Sequence, residues 1–222
     1  MIELNRYFDS TILKPDAVYG DIKSLCEEAV REDFYSVCVN PAFVPAAHSI
    51  VTGTNTLVAT VIGFPLGQNQ SEVKAFEAAL AMRQGANECD MVMNVSALKD
   101  KAYDFVLNDI RSVVKATHDQ GGIVKVILET CLLKPEEIRT ASLIAMDAGA
   151  DFVKTSTGFS TGGATPEAVE IMAAAVGGKL GIKASGGIRT LDTALLMIDK
   201  GATRLGCSSC KKIMDELRAK TE

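Results

Sequence analysis

The chain has 222 residues, 47% of them hydrophobic, and a formal charge of -5, enough apolar material for one sizeable core. A pI near 5.2 with no dense Lys/Arg tract argues against a nucleic-acid surface. The start, MIELNRYFDS, lacks the apolar core of a signal peptide, and no apolar run approaches the ~20 residues that span a bilayer, so a cytoplasmic protein without a membrane partner is expected.

Along the chain, short apolar runs alternate with amphipathic stretches. RYFDST (6–11) carries Asp9 and is followed by a predicted helix over 21–32, with Asp21 as its candidate N-cap. FYSVCVN (34–40) leads into a weaker helix over 41–52, where Pro41 and Pro45 both fall. TLVATVIGF (56–64) precedes a helix over 71–84 that starts at Ser71 and stops before Gly85. ECDMVMNV (88–95) carries Asp90, and Phe105, Ile110, Val113 and Val114 then mark a helix over 103–120. IVKVILET (123–130) carries Lys125 and precedes a helix over 135–148 with Pro135 in its first turn. DFVKTST (151–157) carries Lys154, and Thr165-Pro166 opens a helix over 165–176. GIKASGG (181–187) carries Lys183, and Thr190 caps a helix over 191–200. TRLGCSS (203–209) and a helix over 208–219 close the series.

That makes eight apolar runs, most of them continuously apolar, as parallel strands covered on both faces require. The pattern predicts a single-domain (β/α)8 TIM barrel over residues 1–222, with an open doubly wound sheet as the alternative. The barrel is favoured because charges interrupt several different strands, whereas a doubly wound sheet concentrates chemistry at one crevice. No G-x-G-x-x-G follows the first strand, so dinucleotide binding has little support.

Asp9, Asp90, Lys125, Lys154 and Lys183 each sit within an otherwise apolar run. For any one of them a solvated strand-end charge is the simpler reading. Five on separate strands point to a polar network inside the barrel, because buried charges must be paired. Desolvation and neighbouring positive charge both favour a neutral amine, and a neutral amine attacks carbonyls to form a Schiff base. On this logic either Lys154 or Lys183 is the nucleophile. Small residues follow the late strands: Thr157-Gly158, Gly186-Gly187, and Gly206 with Ser208 and Ser209. Barrels commonly hold a phosphate at the loops after strands seven and eight, with backbone N–H groups as donors, and Arg189 adds positive charge there.

In this order FDSTILKPDA, ATVIGFPLG, ECDMVMNV, KVILET, DFVKTSTGF and KASGGIRT resemble the deoxyribose-phosphate aldolases, a class I, Schiff-base-forming family, from about Asp9 to Ser209. The resemblance implies a (β/α)8 barrel that reversibly cleaves 2-deoxy-D-ribose 5-phosphate to glyceraldehyde 3-phosphate and acetaldehyde. It assigns the Schiff base to Lys154, the supporting cation to Lys183 and proton relay to Asp90. Asp9 and Lys125 match further polar residues of that family's site, while Gly186, Gly187, Ser208 and Ser209 fall where it grips phosphate. Cys38 matches a cysteine near the site, with a packing role as the competing reading. No metal or organic cofactor is implied, and the assembly expected is a homodimer or homotetramer.

Three features depart from the family pattern. Ser10 stands where many members have histidine, Phe159 where some have lysine, and the chain ends DELRAKTE without the tyrosine of some members. With Phe159 in that place, the phosphate grip relies on backbone groups and Arg189.

Alternatives from the residues themselves are another phosphate-binding barrel lyase or isomerase, a non-catalytic sugar-phosphate binder, and a thiol–disulfide oxidoreductase using the C-x-x-C of Cys207 and Cys210. The remaining cysteines, Cys26, Cys38, Cys89 and Cys131, read as small core side chains. His48 and His118 have no partners at metal-ligand spacing, so no histidine-built metal site is expected.

Overall fold

Eight parallel strands close on themselves in chain order, each paired with its sequence neighbours and the last with the first. They are β1 Phe8–Ile12, β2 Ser36–Val39, β3 Leu57–Ile62, β4 Glu88–Val92, β5 Ile123–Ile127, β6 Phe152–Lys154, β7 Gly181–Ser185 and β8 Arg204–Cys207. The computed structural model describes residues 3–221. Around the strands lie α1 Tyr19–Arg31, α2 Val44–Val51, α3 Ser71–Arg83, α4 Val95–Lys99, α5 Tyr103–His118, α6 Pro135–Asp147, α7 Pro166–Val176, α8 Leu191–Asp199 and α9 Cys210–Thr221. Among the described residues no helix is long and apolar enough to cross a membrane.

The continuous apolar runs are explained by which face each residue takes. Outward residues such as Val37, Val58, Met91, Val124, Val126, Val153, Ile182 and Leu205 form the main core against the helices. Inward positions divide in two. Cys38, Ala59 and Val61, with Leu13 and Phe64, fill one side of the barrel with a small apolar cluster. The other side holds charges. Register brings them together, since directly paired residues on neighbouring strands share a face: Asp90 pairs with Lys125, Lys154 with Lys183, and Lys183 with Arg204.

Several helix starts follow local chemistry. Thr165 and Thr190 accept N–H bonds from Ala168 and Thr193 as N-caps, and Pro135 and Pro166 occupy first-turn positions. The expected start of α1 is corrected. The helix begins at Tyr19 after Val18, and Asp21 sits in the first turn, accepting the Val18 N–H at 2.9 Å. Asp21 therefore satisfies an orphan donor from inside the helix. The stretch 41–52 splits into a 3-10 turn Pro41–Phe43 and α2, as two prolines without N–H groups require. α4 was not foreseen; five residues carry too little periodicity to be read, and Asn94 caps it by accepting the Ala97 N–H. α9 begins at Cys210, not residue 208, leaving Ser208 in the turn and Ser209 accepting the Ile213 N–H. The tail DELRAKTE is helical as far as Thr221.

Outside the barrel, Lys74 of α3 is fully buried, donating to Asp109 of α5 at 2.7 Å and to the Val92 carbonyl at 3.1 Å. Ser71 donates to the other Asp109 oxygen at 2.8 Å. This ties the two helices to the top of β4. Cys26, Cys38 and Cys89 are buried as expected, whereas Cys131 is exposed, because it lies in the 3-10 turn Thr130–Leu132 after β5 rather than in the core.

Candidate active site

Asp90 is the hub of the polar interior. Its Oδ1 accepts from Lys125 at 2.8 Å, and its Oδ2 accepts from both Lys154 at 2.8 Å and Lys183 at 2.7 Å. The two amines share one carboxylate oxygen. Lys183 also reaches Asp9 Oδ2 at 2.5 Å, an ion pair outside hydrogen-bond alignment. Asp9 Oδ1 in turn accepts from Arg204 at 2.8 Å. Glu88 completes the network, close against Lys125 and 3.4 Å from Arg204. Each of these side chains is buried.

This pairing separates the interior lysines, between which the residues alone left the nucleophile open. Burial pushes every ammonium toward the neutral form. For Lys183 the carboxylates of Asp9 and Asp90 outweigh burial, and its pKa is raised. For Lys125, Asp90, Glu88 and Asp9 do the same. Lys154 alone of the three comes out lowered: burial dominates, Asp90 opposes it, and the Lys183 charge adds to it. Burial acting alone would raise Asp9 and Asp90. The surrounding cations, Lys183, Lys125 and Arg204 for Asp9 and the three lysines for Asp90, hold both carboxyls below their usual range. The nucleophilic form is thus favoured at Lys154, which the amino-acid order by itself left undecided from Lys183.

Above Lys154 opens a cavity of about 380 Å³, within the range of small-molecule sites. Lys154, Thr157, Gly158, Gly186, Arg189, Gly206 and Ser208 line it, together with Thr11, Lys14, Phe159, Ser185 and Cys207. Gly187 and Ser209 lie one residue beyond lining positions, whereas Asp9, Asp90 and Lys125 do not line the cavity and are fully buried. Arg189 and Lys14 bring positive charge to the exposed mouth, and α9 begins two residues after Ser208, adding unpaired backbone N–H groups. Gly206 serves the interior: a Cβ there would stand 2.8 Å from Lys183 Cε. Gly186, at φ +85°, lets the 160–164 loop close over β7, with the Ala164 N–H on the Ser185 and Gly186 carbonyls at 3.0 Å.

Four residues beyond the sequence-based candidates hold the site. Glu88 and Arg204 balance charge at the base. Glu129, buried and left-handed at φ +57°, accepts the Thr157 N–H at 3.2 Å and also its hydroxyl. Thr157 then accepts the Phe159 N–H at 3.0 Å, so its side chain is committed to the loop after β6. Ser185 donates to the Ser156 carbonyl at 2.7 Å, lacing β6 to β7. A non-glycine residue at positive φ leaves no composition signal. Glu88 and Arg204 begin apolar runs and so pass for solvated strand-end charges.

Cys38 faces the same interior, its thiol pushed up mainly by burial. Cys207 and Cys210 are free thiols with sulfurs 3.0 Å apart, Cys207 at the cavity wall and Cys210 buried.

Residues 3–215 match the family model described as DeoC/LacD family aldolase. The chain is 54% identical over 217 residues to a deoxyribose-phosphate aldolase of Coprothermobacter proteolyticus, covering 98% of each chain. It is also 54% identical over 215 residues to that of Thermococcus kodakarensis, covering 96% of each. The structure superimposes on the deoxyribose-phosphate aldolase of Aeropyrum pernix, described as a unique tetramer, with a TM-score of 0.91 and 34% identity over 97% of this chain and 91% of that one. These relatives do not favour the thiol–disulfide or isomerase alternatives. The likeness in sequence and structure spans nearly the whole chain, and the protein belongs to the DeoC/LacD family of aldolases.

Proposed function

We propose that the protein reversibly cleaves 2-deoxy-D-ribose 5-phosphate to glyceraldehyde 3-phosphate and acetaldehyde. One observation carries the reading: a single buried amine, Lys154, is biased to its neutral form at the floor of a cavity whose mouth is positively charged. Lys154 attacks the C1 aldehyde of the open-chain sugar, and the resulting carbinolamine loses water to give an iminium. That iminium draws the C2–C3 electron pair as the C3 hydroxyl gives up its proton. Glyceraldehyde 3-phosphate departs, leaving an enamine on Lys154. Protonation of the enamine carbon and hydrolysis then release acetaldehyde and restore the amine.

Asp90, ionised, and Lys183, protonated, both beside the Lys154 amine, are the groups placed to accept and return these protons. The phosphate belongs at the mouth, against the Gly186 and Gly206–Ser208 backbone, with Gly158, Gly187 and Ser209 adjoining and Arg189 as counter-charge. Asp9 and Lys125 support the interior network, and Thr157 shapes the wall. We further infer a homodimer or homotetramer acting in the cytoplasm on free sugar phosphates and aldehydes.

Incubation with acetaldehyde and borohydride tests the assignment. Peptide mass spectrometry is expected to find an ethyl adduct at Lys154. An adduct confined to other lysines, or none, removes Lys154 from the role.

A further inference from the structure

Residues at the lower end of a TIM barrel are ordinarily read as serving stability alone. Glu88 and Arg204 open β4 and β8, at that end, and are buried. We propose that Arg204 and Glu88 are positioning residues that set the charge balance of the barrel interior and thereby govern the reactivity of Lys154. The inference rests on the Schiff-base role given to Lys154 above.

The geometry supplies two continuous routes. One runs from Arg204 through Asp9 and Lys183 to Asp90 and Lys154. The other runs from Glu88 through Lys125 to Asp90 and Lys154. Along them stand three carboxylates, Asp9, Glu88 and Asp90, and three cations besides Lys154, namely Lys125, Lys183 and Arg204. The interior is therefore neutral when Lys154 carries no proton, and a proton on Lys154 leaves one unpaired positive charge in a dry space.

Each strand enters that balance. β1 contributes Asp9, β2 the neutral Cys38, β3 the apolar Ala59 and Val61, and β4 both Glu88 and Asp90. β5 contributes Lys125, β6 Lys154 itself, β7 Lys183 and β8 Arg204. Glu129 is turned to Thr157, while Lys14 and Arg189 stand at the cavity mouth and the Cys207 thiol in its wall. Arg204 is suited to a fixed charge: its guanidinium lies 3.4 Å from the centre of the Tyr35 ring and 5.3 Å from that of Phe152. Neither Arg204 nor Glu88 lines the cavity, so both act through their neighbours.

Removing either charge should move Lys154 in opposite directions. Arg204→Gln leaves the interior one positive charge short, and a proton on Lys154 makes good the deficit, so the amine holds that proton to higher pH. Glu88→Gln leaves a positive surplus, and Lys154 gives up its proton at lower pH.

The experiment follows the rate of acetaldehyde trapping at Lys154 by cyanoborohydride across pH, with mass spectrometry locating the adduct. A charge ~10 Å away at an effective dielectric of ~20 moves the midpoint by roughly one pH unit. The expected result is an alkaline shift for Arg204→Gln, an acid shift for Glu88→Gln, a return toward the parent in the double variant, and a parent-like midpoint for Arg204→Lys. A purely structural role would lower the melting temperature and leave the midpoints together. Coincident midpoints, or shifts of the same sign, overturn the proposal while parent labelling at Lys154 leaves the aldolase reading intact. A parent that is not labelled at Lys154 overturns both. Should Arg204→Gln fail to fold by circular dichroism, the near-isosteric Glu88→Gln decides by the sign of its shift.

Discussion

Replacing Lys183 by methionine is the sharpest test of how the site keeps one amine reactive. Lys183 acts on Lys154 twice: its charge repels a second ammonium, and it occupies the Asp90 oxygen that Lys154 also contacts. With both amines on one oxygen, a separation of ~5 Å at an effective dielectric of ~20 corresponds to about 3 kcal/mol, or roughly two pH units. Lys154 has a folded-state pKa below its ordinary value. Losing the cation raises that pKa, so at pH values below both midpoints the neutral fraction falls about 100-fold. Borohydride trapping with acetaldehyde should slow accordingly near neutrality and recover as pH is raised. Asp9 and Asp90 lose a partner, and denaturant unfolding should show a loss of about 3 kcal/mol. A variant that folds and traps with the parent's pH profile would refute the reasoning. Loss of trapping that alkali does not restore would show that Lys183 does not act by suppressing the charge on Lys154.

Two further substitutions separate the scaffold from the site. Lys74→Met strands the buried Asp109 carboxylate and should cost about 3–5 kcal/mol. Lys74→Met/Asp109→Leu should cost less than the two single changes added together, with the trapping profile of Lys154 unchanged; a purely additive cycle would dissolve the pairing argument. Gly206→Ala puts a Cβ 2.8 Å from Lys183 Cε, so the lysine must shift from Asp90. Stability should drop by about 1–3 kcal/mol, as for overpacking of a buried site, and the trapping midpoint should move to higher pH. An unmoved midpoint would mean that Lys183 has room to spare.

The alternation of apolar runs with amphipathic stretches pointed to eight parallel strands, because strands covered on both faces must be apolar nearly throughout, and the charges spread over several of them favoured the closed barrel over an open sheet. A charge inside such a run is costly unless paired, and that cost made Asp9, Asp90, Lys125, Lys154 and Lys183 legible in the sequence as interior residues. Local capping was legible where a single side chain decides it, at Thr190, and misread at Asp21, whose carboxylate works from within the first turn. Which lysine is pushed toward its neutral form was another matter. It depends on carboxylates brought within 3 Å across separations of 64 residues between Lys154 and Asp90 and 93 between Lys183 and Asp90. Electrostatic energy falls with distance in space and takes no account of distance along the chain. Closure of the barrel therefore decided the pairing, and with it the parts played by Arg204, Glu88 and Glu129, none of which looks unusual among its own neighbours in sequence.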